Sequence, residues 1–134
     1  MKILEAYSRV FVDPDKFDDT IAFYERLTQG HCRMRADYPE ARLQLADVVS
    51  PHATFLIIAG PPEVRRPFEA TSLTLKVDNL QTAIQELDAS GADHIEPVQP
   101  TPIGFKTRYR HPDGLIVEYV EHQEEKLKKL LIMA

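Results

Sequence analysis

A single cysteine in 134 residues leaves no internal disulfide possible, so a reducing, cytoplasmic setting is expected. No apolar run approaches the ~20 residues of a membrane-spanning helix. The opening Met1-Lys2-Ile3-Leu4-Glu5 meets an acid too early for a secretion signal. Membranes are therefore not expected as partners. Cationic clusters are also missing: beyond Arg65-Arg66 and the lysines near the C-terminus the basic residues are scattered, and the formal net charge is −5. That balance argues against nucleic acid as a partner. What remains is 43% apolar and 28% charged, the composition of an ordinary globular protein. A chain of this length reads as one domain over 1–134 and buries roughly two thirds of its unfolded surface.

The chain is written twice. Tyr7-Ser8-Arg9-Val10-Phe11-Val12-Asp13 and Ser72-Leu73-Thr74-Leu75-Lys76-Val77-Asp78 are alternating strands that both end in Val-Asp. A helix follows each. In the first, Phe17, Ile21 and Tyr24 form the apolar stripe with Leu27 on its flank; in the second, Leu80, Ala83, Ile84 and Leu87 do. Asp13 and Asp78 are the expected N-caps, and Gly30 and Gly91 the expected ends. Three strand-like segments follow each helix, at about 31–36, 42–49 and 53–59, then at about 94–98, 104–110 and 115–121. Each repeat, about 3–60 and about 71–121, thus reads β-α-β-β-β. A proline-rich connector without periodicity spans 61–70, and a C-terminal helix with Leu127, Leu130 and Leu131 on one face spans 122–134. The predicted fold is α+β: tandem βαβββ repeats forming a curved mixed sheet around a cleft. One face of the sheet takes the helices, and the other is left to line a ligand cavity.

The most telling stretch is His111-Pro112-Asp113-Gly114, a turn feeding the strand Leu115-Ile116-Val117-Glu118-Tyr119-Val120-Glu121. A strand apolar on both faces is usually buried, and a buried carboxylate is costly unless paired. Glu118 is therefore a structural acid held by an arginine (Arg9 or Arg108), a ligand-binding or proton-accepting group, or a metal ligand.

Together with Thr20-Ile21-Ala22-Phe23-Tyr24 in the first helix and the paired strand openings, this stretch resembles the vicinal oxygen chelate superfamily over about residues 3–121. That superfamily includes glyoxalases, bleomycin-resistance proteins, extradiol dioxygenases and methylmalonyl-CoA epimerase. The resemblance implies four metal-ligand positions on the inner faces of the sheet. They fall here on Tyr7, Ser72, Phe55 or Ile57, and Glu118. Only Glu118 suits a metal, and catalytic divalent metals need three or more protein N or O ligands. No cofactor is therefore expected, with a divalent metal as the alternative.

Strand parity places Tyr7, Arg9 and Phe11, and Ser72, Thr74 and Lys76, on the cavity side. The candidate binding set is Tyr7, Arg9, Phe11, Phe55, Ile57, Ser72, Thr74, Arg108 and Glu118, with Glu118 also the candidate catalytic group. The five histidines fall at element ends, where surface or turn roles are expected. Adjacent His31 and Cys32 point to opposite faces of a strand, which argues against a nucleophile–base pair. The expected function is small-molecule binding without the usual metal, by a homodimer. The alternative is a metal-dependent lyase, isomerase or dioxygenase with a non-standard ligand set that includes Glu118.

Overall fold

A computed structural model describes residues 1–128 and residue 130. β1 (Ile3–Val12) leads through a 3-10 turn to α1 (Phe17–Thr28), then β2 (His31–Tyr38), β3 (Leu43–Val49) and β4 (Thr54–Ala59). After α2 (Pro62–Glu69) the second half repeats the order: β5 (Leu73–Val77), α3 (Leu80–Ala89), β6 (Asp93–Thr101), β7 (Gly104–Arg110) and β8 (Ile116–His122). α4 (Glu124–Lys128) closes the described chain. Leu130 donates its N–H to the Leu127 carbonyl, while Lys129 and Leu131 of the expected C-terminal helix lie outside the described residues.

The strands form one curled, eight-stranded mixed sheet in the order β2-β3-β4-β1-β5-β8-β7-β6. Within each half the opening strand pairs in parallel with the last, β1 with β4 and β5 with β8. The halves join where β1 and β5 run antiparallel, with Tyr7 opposite Thr74. The two repeats therefore pair within one chain.

Side-chain alternation divides the sheet into two faces. On the convex face, Phe17 and Ile21 of α1 pack on Ala46, Val48, Ile57 and Ala59. Leu80, Ala83 and Leu87 of α3 pack on Val77, Tyr109, Val117 and Tyr119. Both helical stripes read from the sequence thus face the sheet, and the concave face is left open.

Three local expectations are corrected. The connector is not irregular: Pro62 occupies the first turn of α2, where its missing N–H costs nothing. The N-cap of α3 is Asn79, whose side chain accepts from the Thr82 N–H at 2.9 Å, while Asp78 accepts the Lys2 N–H instead. Asp13 makes no side-chain cap; a 3-10 turn over Pro14–Lys16 separates it from α1, and its carboxylate pairs with Arg65.

Ile57 is fully buried between sheet and α1, whereas Leu27 is 63% exposed. Replacing Ile57 with Ala is expected to cost about 2–5 kcal/mol, and Leu27 with Ala under about 0.5 kcal/mol. Urea denaturation of both variants checks the assignment of faces; equal losses would refute it.

Candidate functional site

The concave face encloses a cleft of about 70 Å³, roughly the room of five waters. Leu43, Leu45, Leu56 and Ile58 line it from the first half, and Ile103 and Val120 from the second. Phe68 of α2 and Tyr38 at the end of β2 complete the wall, and the Tyr38 hydroxyl donates to the Pro100 carbonyl at 3.3 Å. The two halves thus meet again across the mouth.

The floor holds an ion pair between the halves. Arg9 of β1 donates through Nη1 to Glu118 Oε1 of β8 at 3.0 Å and to Thr74 Oγ1 of β5 at 2.7 Å. Thr74 Oγ1 in turn donates to Glu118 Oε1 at 2.9 Å. The Arg9 and Glu118 side chains are 4% and 12% exposed. Arg9 Nε is buried without a hydrogen-bond partner.

A second polar cluster sits in the first half. Arg33 donates to Asp47 Oδ2 through Nε at 3.0 Å and to Glu5 Oε1 through Nη2 at 2.9 Å. Tyr7 donates to Glu5 Oε1 at 2.8 Å, and Thr54 to Glu5 Oε2 at 3.0 Å. Burial disfavours the Glu5 carboxylate, but hydrogen bonds from Arg33 and Tyr7 outweigh it and hold the pKa below the usual value. Burial pushes the Tyr7 hydroxyl up, with its bond to Glu5 adding to the shift. Burial also raises Asp47, in spite of Arg33, and its Oδ1 has no partner.

Two further titratable side chains reach the cleft. His122, at the end of β8, has its pKa lowered to about 4, first by burial and then by Lys76 and Arg33. Its imidazole is neutral through the physiological range, with Nδ1 buried and unpartnered. Lys106 of β7 is 5% exposed, with Nζ 5.1 Å from the Phe68 ring centre and 5.9 Å from that of Tyr38.

Of the residues expected from sequence, Tyr7, Arg9, Thr74 and Glu118 line the cleft together. The others do not. Phe55 stacks on Tyr24 of α1 and Ile57 lies in the α1 core, so both point to the convex face; Leu56 and Ile58 take the inner positions. Phe11 shares the side of Arg9 but lies outside the cleft, its ring 5.4 Å from the Arg9 guanidinium carbon. Ser72 is exposed ahead of β5 and donates its N–H to the Ile116 carbonyl. Arg108 faces Glu96 at 3.2 Å and Thr71, leaving Glu118 to Arg9. His122 corrects the expectation that every histidine holds a surface or turn role. It lies on the Glu118 face because β8 runs one residue further than predicted. Burial pushes the Cys32 thiol up, and it packs near α1, away from the cleft.

Paired βαβββ halves curled around one cleft define the vicinal oxygen chelate fold. Methylmalonyl-CoA epimerase from Mycobacterium tuberculosis shares it, with a TM-score of 0.67 and 15% identity over 87% of this chain and 86% of that one. So does a mutant 4-hydroxymandelate synthase from Streptomyces coelicolor, with a TM-score of 0.56 and 15% identity over 87% of this chain and 48% of that one. At these identities the likeness is one of fold. The chain has this fold and belongs to one family with an uncharacterized protein from Methanosarcina mazei: 36% identity over 92% of this chain and 95% of that one, with a TM-score of 0.80. No protein-family model and no curated protein matches the chain.

The residues present do not fit the divalent metal that the fold suggests. A dication beside Glu118 would stand against the Arg9 guanidinium, which already holds the carboxylate. Leu56 offers no donor, and Tyr7 is committed to Glu5. Among the described residues no three His, Cys, Asp or Glu side chains group as a metal site.

Two outcomes are expected. Arg9→Ala leaves Glu118 buried and unpaired and should cost about 3–5 kcal/mol in urea denaturation, whereas Arg9→Met with Glu118→Gln should cost markedly less. His122 should make stability pH-dependent. Its folded pKa, about 4, lies below the ordinary 6.5, so between those values the unfolded chain binds a proton that the folded one does not. Stability is then greatest above pH 6.5 and falls as pH drops toward 4, by on the order of 2–3 kcal/mol after allowance for partial exposure. The difference in stability–pH curves between wild type and His122→Gln checks this; parallel curves would refute it.

Proposed function

We propose that the protein binds a small organic molecule in this cleft and does so without a metal. The observation that carries the reading is an apolar cleft built over an ion pair that is already neutralised, Arg9 with Glu118. Apolar walls with a few convergent polar groups are what ligand pockets generally offer. Tyr7, Arg9, Thr74 and Glu118 form the proposed binding floor, joined by Lys106 and His122. Because Arg9 answers the charge of Glu118, that acid gives no preference for a cationic ligand. The protein is further proposed to act as a cytoplasmic homodimer, on the exposed Phe23 of α1 and the free Cys32. A monomer mass by light scattering at micromolar concentration would refute the dimer.

A metal-dependent lyase, isomerase or dioxygenase is the second reading. It is favoured by one observation: His122, neutral and with an unpartnered nitrogen, faces the same cleft as Glu118 and Asp47. The Arg9–Glu118 pair weighs against it.

A fragment screen by thermal shift, run with and without chelator, separates the two. Binding that survives chelation and is lost in Leu56→Trp, which fills the cleft, is the expected result. Stoichiometric metal in protein purified without affinity metal, lost in Glu118→Gln, would overturn the first reading in favour of the second.

A further inference from the structure

Lys106 is the charge in the cleft that the protein pairs most loosely. Its side chain is 6% exposed and lines the cavity, yet its ammonium makes no side-chain hydrogen bond among the described residues. The nearest carboxylate oxygen, Glu96 Oε1, is 3.9 Å away, beyond hydrogen-bond reach, and the other oxygen of Glu96 faces Arg108 at 3.2 Å. Every other ion pair of the cleft is closed within the protein: Arg9 serves Glu118, and Arg33 serves both Asp47 and Glu5. The rings of Phe68 and Tyr38 stabilise a cation at Lys106, but ring faces do not replace acceptors for its N–H donors. An ammonium whose carboxylate neighbour stands at 3.9 Å keeps N–H donors free for a closer acceptor, which an incoming anion supplies. Val120 lies opposite Lys106 on β8, and Ile103 and Leu43 add apolar wall to the same cleft.

We propose that the ligand is a small organic acid with an apolar body, its carboxylate bound by the Lys106 ammonium between Tyr38 and Phe68. The proposal rests on the reading of the cleft as a binding site and adds the class of ligand. The cleft volume keeps the acid small, with a body no larger than a branched alkyl group or a single ring. The carboxylate sits beside Lys106, and the body extends over Val120 toward the leucines of the first half.

Titration calorimetry with matched probes tests it: 3-methylbutanoate and benzoate against their amides, with benzylamine and inorganic phosphate alongside. The acids are expected to bind the wild-type protein at least about tenfold more tightly than the amides, since an ion-assisted hydrogen bond replaces a neutral one. Lys106→Met should erase that ratio while the amides keep their affinity. Acids no tighter than amides, or benzylamine tightest, would overturn the proposal while leaving the cleft a binding site. Phosphate binding as tightly as the acids would overturn the apolar-body part. If probes of no class bind, the cleft reading itself fails and takes this inference with it. The wild-type ratio is decisive even if Lys106→Met folds poorly.

Discussion

Arg9 and Glu118 belong to different halves of the chain, and their pairing ties those halves together below the cleft. β5 lies between their strands, and Thr74 of that strand bonds to both partners. Removing such groups from water costs several kcal/mol each, which is recovered only when geometry is good and further hydrogen bonds are made. A slip of one residue in β1 would turn Arg9 to the helices and leave Glu118 alone, so the ion pair fixes a register that the apolar residues of the sheet specify less sharply. The same pairing sets the chemistry of the floor. The carboxylate of Glu118 is held from within the protein by a guanidinium and a hydroxyl.

The halves repeat in backbone and diverge in chemistry. Arg9 lies beside Leu56 in the first parallel pair, as Thr74 lies beside Glu118 in the second. The position that carries an acid in one half is therefore leucine in the other. The acid of the first half stands one strand further out, at Asp47, in register with Leu56 and held by Arg33. The result is two polar clusters of different composition that meet where Tyr7 stands opposite Thr74.

The sequence made the repeated architecture legible because its signals are local: alternation along β1 and β5, apolar stripes on α1 and α3, and the Pro-Asp-Gly turn before β8. It misplaced Phe55 and Ile57 because Thr54–Ala59 is apolar on both faces, and a strand without alternation carries no parity. The connector helix stayed hidden because its prolines read as breaks, although Pro62 is compatible with a first helical turn. Lys106 and Arg108 share a face of β7, and which of them reaches the cleft depends on the curl of the sheet, which no local pattern encodes. His122 was lost to a strand boundary placed one residue early.

The mouth of the cleft is built differently from its floor. The floor is an ion pair that is nearly closed to water, whereas the link between Tyr38 and Pro100 is a single exposed hydrogen bond of 3.3 Å. A hydrogen bond of this kind contributes about 0.5–1.5 kcal/mol, so breaking it disturbs the molecule far less than breaking the floor. Phe68 comes from α2, which buries none of its residues. The elements over the cleft are thus the ones least committed to the core, and local opening draws on such elements first. Parting Tyr38 from Pro100 therefore opens the cleft while Arg9 and Glu118 hold the two halves in register.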